Sequence, residues 1–188
     1  MTSQAVDPVG QPSAYRTMLL GALRQDDPAE VQARTPAELR RLVADAGPLL
    51  RERPAPGEWS VLELIGHIHD GEWVVGARYR WIVAEDRPDI APYDQDLWVG
   101  RLDYNDVDPD ELLTTFEALR AANLRLWAQI PVEDRAREGI HRERGPESYE
   151  LTFRMLAGHD RVHMQKARDT LEAVRAKSGL ASAASGVR

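Results

Sequence analysis

Apolar residues recur every three to four positions along most of this chain, and the alternating pattern of a half-buried strand is almost absent. That periodicity predicts helices, each with one core-facing stripe. A short apolar segment, Tyr15 to Leu23, predicts a preliminary helix. The first strong helix is expected from Thr35-Pro36-Ala37-Glu38, a capping-box pattern with proline at the first helical position. Its stripe is Leu39, Leu42, Val43 and Leu49 or Leu50, with a kink expected at Gly47-Pro48. The second opens at Ser60-Val61-Leu62-Glu63, another capping box, and runs to about Asp86 with Val61, Leu64, Ile65, Ile68, Val75, Tyr79 and Ile82 inward. Asp108-Pro109 caps the third, whose stripe breaks at Pro131. Ser148 caps the fourth, expected to end near Lys177.

Four amphipathic helices of roughly 18–29 residues predict an all-α four-helix bundle around one core. The connection from Arg87 to Val107, between the second and third helices, is too long for a tight turn, so simple up-down-up-down order is not required. The single domain is expected over residues 15–177. The flanks, residues 1–14 and the tail Ser178–Arg188, are expected to be disordered, because they carry few large apolar groups to offset the entropy of ordering.

The net charge of -7 argues against a nucleic-acid-binding surface. The absence of cysteine removes disulfides, thiolate ligands and a cysteine nucleophile. No apolar run approaches the ~20 residues of a membrane span, and Met1–Ser13 lacks the apolar stretch of a signal peptide. A cytoplasmic protein is expected.

Five histidines carry the informative chemistry: His67, His69, His141, His159 and His163. His159 and His163 are four apart, so they project from one helical face one turn from each other. Steps of three or four give Tyr149, Phe153, Leu156, His159, His163, Ala167, Thr170, Leu171 and Val174, so the pair interrupts the core-facing stripe. Two imidazoles in a core are costly without partners, and a metal ion satisfies both. The competing reading is a pair of hydrogen-bonded core histidines. A third ligand is offered by the second helix, where His67 and His69 lie on opposite flanks, each displaced by roughly 100° from the centre of the apolar stripe. Periodicity does not choose between them.

The stretch from Pro56 through Trp59-Ser60 and His67 to Glu72 resembles the DinB/YfiT-like superfamily. Its members share a Trp-Ser entry to the second helix, a ligand histidine seven residues after that serine, and an H-x3-H pair on the last bundle helix. Gly158-His159-Asp160-Arg161-Val162-His163 matches the pair, and Asp86-Arg87-Pro88 and Tyr93 to Trp98 resemble small bacterial members. The resemblance covers about Thr35 to Lys177. It implies a bundle with unusual connection order, often a homodimer, and a metal site on His67, His159 and His163. Zinc or nickel suits three imidazoles with an open fourth position. The activities implied are a metal-dependent hydrolase, or a transferase or isomerase that uses a low-molecular-weight thiol, acting on a small molecule. The alternative is a non-catalytic helical scaffold stabilised by its ion.

Glu72 and Asp70 are candidate bases, or partners of the ligands, with a solvated helix face as the plainer reading for Asp70. His69 could pair with Glu72. Asn123, on the third helix's stripe, is expected to make a core hydrogen bond. Asp94 and Asp96 are read as solvated loop residues, with a place at the pocket mouth as the alternative, Trp59 as a packing anchor and His141, among Arg142, Glu143 and Arg144, as surface.

Overall fold

The computed structural model describes residues 10–185, with side chains described to residue 179. The described chain is mostly helical. In order it comprises α1 (Pro12–Leu23), α2 (Pro28–Ala46), α3 (Val61–Ala84), β1 (Asp89–Ile90), α4 (Gln95–Arg101), α5 (Pro109–Gln129), β2 (Glu138–His141), β3 (Gly145–Ser148) and α6 (Tyr149–Ser185). Helices α2, α3, α5 and α6 form the four-helix bundle, and α1 lies along α6. Their inward stripes meet in a core that includes Leu39, Leu62, Leu64, Ile65, Ile68, Leu113, Phe116 and Leu171. No helix among the described residues is long and apolar enough to cross a membrane.

The caps show how local sequence sets the helices. At α3, the Glu63 amide donates to Ser60 Oγ (3.1 Å) and the Ser60 amide to Glu63 Oε2 (2.7 Å), a complete capping box. Asp108 accepts from the amides of Asp110 and Glu111 to start α5, and Ser148 Oγ accepts from Leu151 to start α6. The first bundle helix departs from expectation: it begins at Pro28, capped by Asp27, seven residues before Thr35-Pro36. Asp27-Pro28 is the same signal as Asp108-Pro109. Pro36 therefore lies inside α2, where it has no N–H for the Gln32 carbonyl one turn back. That carbonyl instead accepts from Arg120 Nη1 at 3.0 Å. The helix ends at Ala46, with Gly47 at φ +50°, so Gly47-Pro48 terminates it instead of bending it.

The long connection holds β1, α4 and a single 3-10 turn at Tyr104–Asp106. β1 pairs in parallel with β2, and β2 runs antiparallel to β3, giving the order β1-β2-β3. Strands of two to four residues are too short to register as alternation, so this sheet was not expected from the sequence. Gly139 permits it: a Cβ there would stand 2.8 Å from Ile90 Cγ1. α1 already begins at Pro12, a proline in the first turn, and α6 continues to Ser185 through the alanine-containing stretch Ala181–Ala184. Residues 1–9 and 186–188 lie outside the described residues.

Candidate metal centre

α3 is buried on several sides along its first three turns, so His67 (1 % exposed) and His69 both leave bulk solvent while facing different neighbours. His67 turns to α6. Its Nε2 lies 2.9 Å from His159 Nε2, and its ring centroid is 4.4 Å from that of His163. The ligand-capable atoms of His67, His159 and His163 all fall within 4.8 Å of one another. Gly71, one turn beyond His67, faces the His159 ring, and a Cβ there would meet it at 3.4 Å, an ordinary van der Waals contact. His69 turns away. Its ring meets exposed Trp73 edge-on at 6.4 Å and makes no bond to Glu72.

The donor chemistry fits a cation. Burial, then neighbouring His159 and Lys166, hold His67 well below its ordinary pKa. Burial and the two other imidazoles do the same to His163, and burial with Arg120 lowers His159 to about 4. The rings are therefore neutral near pH 7, each with a lone pair to donate. The Nδ1 atoms of all three are buried without a hydrogen-bond partner. A tetrahedral ion with metal–nitrogen bonds of about 2.0–2.1 Å needs ligand nitrogens about 3.3 Å apart; here the His67–His159 pair is at 2.9 Å and all three lie within 4.8 Å. Among the described residues no fourth histidine or acid joins the three.

Beside the cluster lies a buried polar network that no local motif signals. Arg120 on α5, 1 % exposed, binds Asp160 on α6 (2.6 Å), Glu72 on α3 (2.8 Å) and the Gln32 carbonyl on α2. Asn123 donates to Glu72 Oε1 (2.7 Å), and the Thr35 hydroxyl meets Asp160 Oδ2 (2.7 Å). One guanidinium thus ties all four bundle helices together at the residue following His159 and the one following Gly71. Glu72 is committed to this network. Asp70 accepts from the Tyr104 hydroxyl and is pushed up to about 6 by burial.

A partly open cavity of about 90 Å³ reaches the cluster at His159. α1, α3, the β2–β3 hairpin and α6 supply its walls, among them Tyr15, Arg78, His141, Arg144 and Leu156. Neither Glu72 nor Asp70 lines it. His141 corrects a surface assignment: it is 1 % exposed, because β2 alternates and places its last residue inward. Asp94 caps α4 through the Leu97 amide, and Trp59 packs against His67 at 5.4 Å.

Burial holds His141, with Arg144 and Arg78 adding to it, and His159 both at about 4. An unfolded histidine titrates near 6.5, so below that pH the unfolded chain takes up protons that the folded chain refuses. The metal-free protein is expected to lose about 1.4 kcal/mol per pH unit for each of these two groups between about pH 6.5 and 4. Asp70 and Glu72 oppose this, since burial raises both carboxyls and favours the folded state on acidification, but all five histidines are lowered and outweigh them. Urea midpoints at pH 7 and pH 5 check the sign; an unchanged or higher midpoint at pH 5 contradicts it.

A four-helix bundle with imidazoles of two helices converging beside a cavity defines a narrow class of helical protein. The DinB superfamily family model matches residues 27–167, three quarters of the chain, and the chain belongs to that superfamily. A protein of Oceanobacillus iheyensis named "Putative metal-dependent hydrolase" is 30% identical over 109 residues, 57% of this chain and 62% of that relative, just under two thirds of its length. A Bacillus cereus protein of the same name is 25% identical over 129 residues, covering 68% of this chain and 74% of its own. Among solved structures, YfiT from Bacillus subtilis, described as a "probable metal-dependent hydrolase with an unusual four-helix bundle topology", superposes with a TM-score of 0.70. The match spans 82% of this chain and 92% of YfiT at 20% identity, a likeness of fold.

Proposed function

We propose that this chain is a metal-dependent hydrolase of small molecules that holds one divalent ion, zinc or nickel, on His67, His159 and His163. The observation carrying this reading is the convergence of three neutral imidazoles within 4.8 Å, one of which, His159, lines a cavity, with no fourth protein ligand among the described residues. An ion bound by three imidazoles keeps an open position and lowers the pKa of a coordinated water toward ~7, which supplies a nucleophile at neutral pH. The chain's part is to hold the donors. His159 and His163 are fixed one turn apart on α6, whose register against α2, α3 and α5 is set by Asp160 on Arg120. Leu156 and Met155 give the cavity an apolar wall that limits water. The relatives' names agree with hydrolysis.

The test is hydrolysis of an activated small ester, 4-nitrophenyl acetate, by the purified full-length chain. Turnover is expected to vanish on chelation, to return with zinc or nickel, and to be absent in His163→Ala. Chelator-insensitive turnover overturns the reading. Turnover of electrophiles only when a low-molecular-weight thiol is supplied would replace hydrolysis with thiol transfer at the same site.

A further inference from the structure

Arg78 is the unusual group in the cavity wall. It is 5 % exposed, yet among the described residues it makes no ion pair. Its Nη2 donates to the Ala91 carbonyl at 2.9 Å, and its Nε is buried without a partner. A buried charge without a counter-ion is costly, and native folds seldom keep one without a use. The nearby acid does not serve it: Glu147 is held by Arg144 in a two-bonded pair (2.6 and 2.9 Å), with Arg16 3.5 Å away. Glu143, the other acid on the wall, is exposed.

His141, on the same wall, adds a second unused donor. Its Nδ1 accepts from the Glu143 amide (3.3 Å), which leaves the proton on Nε2, and that Nε2 is buried without a partner. The hydroxyl-bearing Tyr15 and Tyr93 complete a wall rich in donors and short of acceptors. We propose that this cavity binds a small carboxylate, with Arg78 as its charge partner and His141 as a hydrogen-bond donor. This rests on the hydrolase reading only in making that carboxylate part of the substrate. Arg16, Arg78 and Arg144 stand against Glu147 and the exposed Glu143, so one positive charge remains uncompensated, which suits a monoanion better than a phosphate dianion. His159 also lines this cavity, so a molecule anchored by its carboxylate has its other end beside the three imidazoles.

The test uses the full-length chain, as purified and again after chelator treatment, with butyrate and the uncharged isostere butyramide as probes. NMR follows the Arg78 Nε–H resonance during titration. Butyrate is expected to shift that resonance and to bind at least 10-fold more tightly than butyramide, in chelated protein too. Arg78→Gln is expected to weaken butyrate at least 10-fold while leaving metal content unchanged, and Arg78→Lys to restore part of the affinity. Equal binding of the two probes overturns the proposal. So does butyrate binding that disappears on chelation and is indifferent to Arg78→Gln, because the carboxylate would then be sitting on the ion. Should Arg78→Gln fail to fold, the comparison of the two probes on the unaltered chain still decides. Absence of metal from the purified protein would defeat the hydrolase reading without touching this result.

Discussion

Alanine at His67 is expected to strip the protein of its metal ion, whereas alanine at His69 is expected to leave it bound. The two side chains are two residues apart, about 200° around the helix, and do not reach one ion together. His67 points its Nε2 at His159, and His69 rests on Trp73, which is 51 % exposed. Losing one of three ligands lowers zinc affinity by orders of magnitude, while loss of a group that only supports a ligand costs roughly 10–100-fold. Competition against a chelator of known affinity separates these outcomes. A His69→Ala protein that loses the ion while His67→Ala keeps it would reverse the assignment on α3.

Arg120→Ala is expected to destabilise the fold by about 3–5 kcal/mol, because it leaves Glu72 and Asp160 as uncompensated buried carboxylates. The Gln32 carbonyl, already without its helical partner because of Pro36, loses its donor in the same step. Such a loss is a large share of the 5–15 kcal/mol typical of a domain. Urea denaturation measures it, and the triple variant with Glu72→Gln and Asp160→Asn should recover part of it by removing the stranded charges. A cost below about 1 kcal/mol for Arg120→Ala would show that the network does not hold the helices together.

The bundle was legible because its signals are local. Ser60-Glu63 and Asp108 announce their helices through bonds to residues two or three away, and the His159–His163 pair announces its face by periodicity. The start of α2 was not legible by the same rules, since Thr35-Pro36 and Asp27-Pro28 both read as helix starts. Packing decides between them: Gln32, 0 % exposed, and Val31 are buried before Thr35 is reached. Periodicity also left His67 and His69 open, because α3 is covered on both flanks; the family resemblance pointed to His67, and the structure brings that residue to the pair. Arg120 lies 48 residues from Glu72 and 40 from Asp160, and the β2–β3 hairpin buries His141 through pairings that leave no helical period. Long-range pairings of that kind write no pattern into a single sequence.

The central claim is one divalent ion on three imidazoles with a position left open. X-ray absorption at the metal edge, on protein loaded to one zinc or nickel per chain, tests it most directly. Three imidazole nitrogens at about 2.0–2.1 Å plus one light scatterer that a small ligand can replace is the expected shell. A protein that takes up no stoichiometric ion, or an ion enclosed by four protein ligands, would contradict it.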